Sequence, residues 1–432
     1  MTFSHLDNSE LYSSLLQVLS PKEGALLRLV AREASRRHLP LYIVGGFVRD
    51  LLLDRPATDF DLVVEGDAIA LAHRLAEKHG GRVTAHPRFG TAQWFLPDSL
   101  NTPVTRFSTL DFVSTRSEMY KHPASLPTVR LGSFTDDLRR RDFTINTLAI
   151  RLDGQYFGEL YDELGGLDDL QHKLIRTLHP LSFIDDPTRL FRLVRYEQRY
   201  GFRIAPETLA LIPTALKGIS LLSAERVRHE LDLVLEEENA MAILHRMADL
   251  HILTEVHSAL VWNSSVGVRF VNAKLAAHKF DGHLSRRMLG WSLWLMDVSP
   301  AGLAGVDKRL HFESHTRDVL LAASTLFADL DSLSGKKPSQ CVARLDKIPL
   351  AAIRCVFLAL PPGQVRKNLF NYLDTWRHVK PKMNGNDLKA IGLLPGPSYQ
   401  TILHGLRDAW LDGKVKTVKE EKMMLEKLIN YQ

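Results

Sequence analysis

A chain of 432 residues with 45% hydrophobic and 24% charged residues has the composition of a globular protein of several domains and excludes a largely disordered one. Its formal net charge of +5 permits a polyanionic partner without requiring one, because net charge bears on association and not on fold. The two cysteines, Cys341 and Cys355, stand outside any CxxC pair, which argues against a disulfide framework or a zinc site and for two buried thiols in a reducing compartment.

The start, MTFSHLDNSE, lacks a basic end followed by an apolar core, and no stretch approaches the roughly 18 uninterrupted apolar residues of a membrane span. A cytoplasmic protein is expected. Residues 10–38 predict helices, carried by Leu15, Leu16, Val18 and Leu19, then Leu26, Leu27, Leu29 and Val30. LYIVGGFVRDLLL (41–53) is a short β-rich run, a glycine pair and an amphipathic helix. DFDLVVEG (59–66) predicts a second strand ending at Gly66, and a helix over 67–79 is stopped by Gly80-Gly81. RVTAHPRFGTAQWFL and TRFSTLDFVSTR predict further strands, split by Pro97 and a polar loop, and Phe143, Ile145 and Leu148 continue a strand pattern. From about residue 178 helix follows helix to the end, punctuated by prolines such as Pro206, Pro300, Pro338 and Pro395. The order is that of an α/β or α+β head followed by a long all-helical part. In that part Arg366, Lys367, Arg377, Lys380 and Lys382 interleave with Phe370, Tyr372 and Trp376. Such a stretch can bind RNA by phosphate pairing and stacking, although a solvated face over core aromatics is its commoner meaning.

Chemistry concentrates in four places. Gly45-Gly46 lies between a strand and a helix, where the backbone can approach a phosphate closely, and Arg49 lies one turn on. Asp59 and Asp61 are two apart on a predicted strand, so both carboxylates leave one face. Side by side they repel unless a divalent cation neutralises them, and Mg2+ suits a pair of oxygen ligands shared with substrate phosphates. Asp111, on the strand LDFVSTR, is a candidate third carboxylate. Alone, such a pair is more often two surface acids; the combination GGxxRD with DFD after it is far more specific. In the run Arg139, Arg140, Arg141, adjacent side chains cannot all face one way on an extended chain, so one arginine is available for a triphosphate and another for an acid of the framework.

The fourth place is DDPTRLFRLVR. Asp186 and Arg189, three apart, share a helix face that Arg192 and Arg195 continue. A carboxylate only accepts and a guanidinium only donates. Cytosine and adenine offer an amino donor beside a ring acceptor, whereas guanine and uracil offer a carbonyl and an N–H. The pair can therefore accept C and A and refuse G and U, each mismatched contact in a dry site costing about 1–3 kcal/mol. The alternative is plain helix initiation, with Asp186 as cap, Pro187 in the first turn and Arg189 on the surface.

VGGFVRDLLL…DFDLVVEG resembles the catalytic signature of class II CCA-adding tRNA nucleotidyltransferases and bacterial poly(A) polymerases, members of the polymerase β superfamily. DLRRRDFTINTLAI (137–150) is similar to the family's RRDFTxNA motif, IDDPTRLFRLVRYEQRYGF (184–202) to its nucleotide-selecting EDxxR motif, and SAERVRHEL (223–231) to the helix motif that follows. NGNDLKAIGLLPGPSYQTIL (384–403) resembles the family's C-terminal end more loosely. The resemblance implies an α+β fold: N-terminal helices (1–40), a nucleotidyltransferase head with a small mixed β-sheet (41–177), then an all-α neck (178–235), body (236–365) and tail (366–432). It implies Mg2+ on Asp59 and Asp61. It implies nucleotide contacts from Gly45, Gly46, Arg49, Arg140 or Arg141, Asn146, Asp186, Arg189, Arg192 and Arg195. The implied partners are CTP, ATP and the acceptor stem and elbow of tRNA. Completion of the tRNA 3′-terminal CCA is the expected activity; a narrower A-only or CC-only output, a poly(A) polymerase and a catalytically dead RNA-binding protein are the alternatives.

Two departures stand out. The first acid of the EDxxR motif is Asp185, one carbon shorter than Glu. The loop MYKHPASLPTV carries Ala124 where many relatives have Gly, in a region that the family links to switching from C to A addition, and Ala lacks the backbone freedom of Gly.

Overall fold

The structure is a computed structural model, described for residues 15, 17–56, 60–100, 108–119, 122, 124–125, 127–276 and 284–430. The chain divides into two compact units, Met1–Ser223 and Ala224–Gln432.

The first unit opens with α1 (Pro21–Ser35). Ser20 accepts from the Glu23 N–H while the Glu23 carboxylate accepts from the Ser20 N–H, and Pro21 loses nothing in the first turn, where its missing donor would be unpaired. β1 (Leu41–Val44) is buried along its whole length, as LYIV predicts, and leads into α2 (Gly46–Leu52). β2 (Asp61–Val64) follows, then α3 (Ala68–His79), capped by Asp67 and ended at Gly80 where the sequence marks it. β3 (Arg82–His86), β4 (Thr91–Phe95) and β5 (Thr109–Ser114) are the strands read from the alternating run. A separate hairpin, β6 (Arg116–Met119) with β7 (Thr128–Leu131), precedes α4 (Phe134–Arg139). β8 (Ala149–Arg151) and β9 (Glu159–Tyr161) complete a seven-stranded mixed sheet in the order β3-β4-β5-β2-β1-β8-β9. Only β2 and β5 run parallel in it, among the described residues. Tyr42, Val44 and Val63 form one cluster with Phe134 and Leu138 of α4, with the rings of Tyr42 and Phe134 stacked.

Two expectations are corrected here. Residues 143–148 are not a strand: Thr144–Asn146 is a single 3-10 turn and β8 begins only at Ala149. Side chains divert the backbone, because Asp142 Oδ1 accepts the Phe143 N–H at 2.9 Å and Thr144 Oγ1 donates to Asp169 Oδ2 at 2.6 Å. The apolar pattern was burial without strand geometry; Phe143, Ile145 and Leu148 are all fully buried. The helical part also contains one short strand. After α5 (Gly166–Gln171), β10 (Leu174–Ile175), α6 (Ser182–Asp185) and α7 (Thr188–Tyr200), β11 (Arg203–Ile204) pairs in parallel with β10.

The second unit is helical from Ala224–Glu236 to Val418–Asn430. One of its cores gathers Val319, Ile353, Val356, Phe357 and Leu369 around both cysteines, which are free and buried as expected. Tyr372 is buried with its hydroxyl on Asp346, and Phe370 and Trp376 pack against the same core. The aromatics of the basic stretch are therefore core residues. No described helix is long and apolar enough to cross a membrane.

Gly81 holds the turn into the sheet edge at φ +92°, where an added Cβ would stand 2.2 Å from the Phe95 carbonyl oxygen. Gly81→Ala is expected to lower stability by at least about 2 kcal/mol, from left-handed strain plus backbone displacement. The check is the urea midpoint of the sheet-bearing unit; an unchanged midpoint would contradict the geometry.

Candidate active site

The sheet ends that carry the predicted residues converge. β1 runs into Gly45, whose N–H bonds the Leu148 carbonyl at 2.9 Å. At φ +83° an added Cβ would stand 2.9 Å from Arg141 Nη1 and 3.3 Å from the Asn146 carbonyl oxygen. Glycine is required there by conformation and by space. Gly46 opens α2, one turn before Arg49.

Asp61 is exposed at the first position of β2. Because β2 and β5 run parallel, Asp61 is the register partner of Asp111, and Asp111 is in turn the partner of Gln93 on β4. Partners across neighbouring strands leave the same face. Gln93 Nε2 donates to Asp111 Oδ1 at 2.9 Å, which fixes that carboxylate. Asp59, two residues before Asp61, lies outside the described residues. Among the described residues no group of three His, Cys, Asp or Glu could hold a metal ion. Two carboxylates side by side are hard oxygen donors of the kind Mg2+ takes.

Beside them runs a buried chain of charges. Arg49, 4% exposed, binds Asp50 through Nε and Nη2 at 2.9 and 3.0 Å and donates through Nη1 to the Asn146 amide oxygen. Its guanidinium lies over the rings of Tyr200 and Tyr196, with centroids at 4.6 and 5.3 Å. Burial opposes its charge, but Asp50 and the two rings outweigh burial and raise its pKa above the ordinary value. Tyr200 donates to Asp50 at 3.1 Å, and burial, reinforced by the Asp50 charge, pushes its hydroxyl up to about 12. Asn146 Nδ2 donates to Asp142 Oδ1 at 2.8 Å, and Arg192 Nε donates to Asp142 Oδ2 at 2.7 Å. Arg192 also reaches the Tyr196 hydroxyl at 3.0 Å. Burial alone would raise the Asp142 pKa; Arg192, Asn146 and Arg189 outweigh it and hold the carboxyl below its ordinary value. The chain ends on Arg192, whose side chain is 33% exposed.

The expected extended chain is not what divides the three arginines: Arg139 is the last residue of α4 and Arg140 its helical cap, so the side chains spread around a helix end. Arg139 points outward, 3.8 Å from Glu163. Arg140 and Arg141 both turn onto Asp137, at 2.7 and 3.0 Å, and Arg140 also binds Glu118 at 3.0 Å. Burial would raise the pKa of Asp137, but the two guanidinium groups hold it below the ordinary value.

Asp186 stands before α7 rather than on it. Its Oδ1 accepts from the Thr188 N–H at 3.0 Å and from Thr188 Oγ1 at 2.6 Å, a helix-capping arrangement. Arg189 is buried, donating to Ser182 Oγ and to the Arg140 carbonyl, each at 2.6 Å. Arg195 is also buried, its guanidinium 5.7 Å from the centre of the Tyr196 ring. The structure thus brings Gly45, Arg49, Arg141, Asn146 and Arg192 into one cluster and joins Arg140 to Arg189, while Asp186 is engaged in capping. Sequence reasoning gave no role to Asp142, Asp137, Glu118, Tyr196 or Tyr200. For Asp142 the signal was the acid closing the RRRD run; for the tyrosines it was their four-residue spacing on α7. Ala124 adopts φ +59° and its N–H bonds the Ile184 carbonyl at 3.3 Å, so a left-handed backbone is held by an L side chain.

Replacing Asp142 by Asn is expected to cost on the order of 3 kcal/mol at neutral pH, because Arg192 loses its ionic partner while the buried shape is kept. A carboxyl whose folded pKa is depressed contributes stability that is complete above its unfolded value, near 3.8, and lost as pH falls through the lower folded value. The stability gap between the parent protein and Asp142→Asn should stay constant from neutral pH down to about pH 5 and narrow only below about pH 4. Denaturation curves across that range test it; a gap that closes above pH 5 would contradict the assignment.

Residues 41–176 match the model of the poly A polymerase head domain, and residues 201–261 match the probable RNA and SrmB-binding site of polymerase A. An A-adding tRNA nucleotidyltransferase of Halalkalibacterium halodurans is 31% identical over 99% of this chain and 97% of its own. An A-adding tRNA nucleotidyltransferase of Geobacter sulfurreducens is 35% identical over 94% of this chain, which spans only 47% of that longer protein. The structure of the Thermotoga maritima CCA-adding enzyme complexed with tRNA superposes with a TM-score of 0.80, at 29% identity, over 98% of both chains. Together with an α+β head on a seven-stranded mixed sheet and the helices behind it, these likenesses make the chain a member of the class II CCA-adding tRNA nucleotidyltransferase family.

Proposed function

We propose that the chain transfers a nucleotide to the 3′ end of tRNA and that its output is the single terminal A, drawn from ATP. The observation that carries the output is the likeness over nearly the whole of both chains to an A-adding enzyme. Ala124 agrees with it. Holding an L residue in the left-handed region costs about 1–2 kcal/mol, and the bond from the Ala124 N–H to Ile184 helps offset that cost. An enzyme that adds one kind of nucleotide has no need to reshape its pocket between bases, so a residue of restricted backbone freedom at position 124 suits it. The second reading is complete CCA addition from CTP and ATP, favoured by the close superposition on a CCA-adding enzyme.

In either reading the terminal 3′ oxygen of the tRNA attacks the α-phosphorus, the bond from that phosphorus to the bridging oxygen breaks, and pyrophosphate leaves. Asp59 and Asp61, with Asp111 as the register partner of Asp61, would hold Mg2+; a divalent ion there would neutralise charge on the α-phosphate and on the departing pyrophosphate. Arg141, beside Gly45, and the partly exposed end of Arg192 are the guanidinium groups suited to the triphosphate. Arg49 is too deeply engaged with Asp50 and Asn146 to grip phosphate in this arrangement; its geometry suits positioning of Asn146 and, through Asp142, of Arg192. Asp186 and Arg189 would read the base after exchanging their present partners for it. No side chain acts as a covalent nucleophile, and catalysis rests on orientation and charge neutralisation. We assign the residues from 178 onward to neck (178–235), body (236–365) and tail (366–432), which hold the acceptor stem and elbow of the tRNA, and place the enzyme in the cytoplasm.

Three transcripts test the output: one ending at the discriminator base, one in C and one in CC, each given CTP, ATP or both with Mg2+. Extension of the CC-ended transcript alone, by one A, is the expected result. Ordered addition of C, C and A followed by a stop would replace it with the second reading. Asp59→Ala with Asp61→Ala is expected to lower turnover by at least about a thousandfold with tRNA binding retained, since charge neutralisation supplies most of the rate. Unchanged turnover in that double variant would remove the proposed metal site.

A further inference from the structure

A second cationic feature of the first unit lies away from the candidate active site. β1 enters Gly45 at its Val44 end; at its other end the Leu152 N–H bonds the Leu41 carbonyl at 2.8 Å. There an open groove of about 720 Å³ runs between α1 and the turn after β8, lined by Arg28, Arg32, Ser35, Arg36, Leu152 and Phe157 among others.

The charge on its helical wall has one sign. Lys22, Arg28, Arg32, Arg36 and Arg37 are exposed, whereas the two acids of α1, Glu23 and Glu33, are each 3% exposed. Both acids are engaged: Glu23 closes the cap with Ser20, and Glu33 binds Lys78, Arg37 and, at 3.5 Å, Arg36 at the end of the row. Arg28, Arg32 and Arg36 recur every four residues, so they form one row along the helix with a step of about 6 Å. The opposite wall is fixed to the helix. Ser35 Oγ accepts the Gly154 N–H at 2.7 Å and donates to the Ala31 carbonyl at 2.8 Å. Asp153 holds the Leu41 N–H at 3.0 Å and Arg151 at 2.9 Å. The same turn presents Tyr156, 38% exposed, with the Arg151 guanidinium 3.9 Å from the centre of its ring.

We infer that this groove binds the phosphodiester backbone of an RNA strand, at the end of the sheet remote from nucleotide transfer. A row of guanidinium groups spread over about 12 Å, two turns of helix, matches a polymer of regularly spaced phosphates. A single triphosphate is shorter and would leave one end of the row without an anion. The exposed tyrosine on the turn that carries Gly154 and Phe157 suits a base, because stacking accepts any base face. Walls tied together by hydrogen bonds hold the row in place before the strand arrives.

The test uses the full chain with Arg28→Ala and Arg32→Ala together, and with both as Lys. Binding of a tRNA transcript and of single-stranded oligouridine is measured across a range of salt concentrations. Removing two phosphate contacts should reduce the slope of log affinity against log salt by about 1.5. The Lys pair should keep the slope, since a point charge suffices for a phosphate. The rate of nucleotide addition at saturating transcript should not change, and the thermal midpoint should match that of the parent. An unchanged slope with both RNAs overturns the inference. So does a loss of pyrophosphate or ATP binding with RNA binding intact, which would make the groove a small-phosphate site. If no transcript is extended by any variant yet the slope falls, the proposed reaction fails and the RNA contact stands.

Discussion

One buried carboxylate holds the Gly45 end of the head together. Taking an ion out of water is costly unless opposite charge and hydrogen bonds replace the lost hydration. Asp142 meets that condition with two near partners, its own neighbour Phe143 and Asn146 of the 3-10 turn, and one distant partner, Arg192 of α7. Asn146 in turn engages Arg49 of α2, and Arg49 engages Asp50, where Tyr200 arrives from the end of α7. The glycine turn, the arginine run and α7 are therefore fixed relative to one another by one satisfied charge. None could shift alone without leaving a buried ion unpaired.

This constraint explains where sequence reasoning succeeded and where it did not. LYIV, DLVV and TLDFVS alternate or fill as strands should, and Gly80 and Gly81 stop a helix in plain sight, so most of the head was legible. Asp61 and Asp111 could be nominated singly, but their pairing needed the parallel register of β2 and β5, which no local pattern encodes. The run after Arg141 misled because Phe143, Ile145 and Leu148 are buried for packing while Asp142 and Thr144 bend the backbone between them. Periodicity reports burial; it does not report which side chain has captured a neighbouring N–H. The same limit applies to Asp186. Three-residue spacing to Arg189 suggested a shared face, yet the Asp186 carboxylate is turned to Thr188 at the start of α7.

The arginines divide by burial into two kinds. Arg49, Arg189 and Arg195 are each at most 5% exposed, and the first two have bonds that bridge separate segments. Arg140 and Arg141 are intermediate, sharing Asp137. Arg192 is the most exposed of these six. Arg was required at the bridging positions for its planar fork and permanent charge; Lys would offer a point charge and could lose its proton on burial.

That division also shows how a chain of modest net charge can hold a strongly cationic cluster. Around Gly45 and the arginine run, Arg49, Arg140, Arg141, Arg189, Arg192 and Arg195 face Asp50, Glu118, Asp137 and Asp142. In this set positive charge outnumbers negative, but each of these four acids is bonded to a guanidinium, so the surplus is oriented rather than diffuse. Counter-charges behind the arginines pin them in place, and their remaining donors do not have to reorganise when an anion arrives. An oriented, partly desolvated cation stabilises charge on a phosphate more than a mobile surface lysine does, because the cost of ordering it was met in folding. A whole-chain surplus of only +5 is thus compatible with a local excess of oriented guanidinium groups around Gly45.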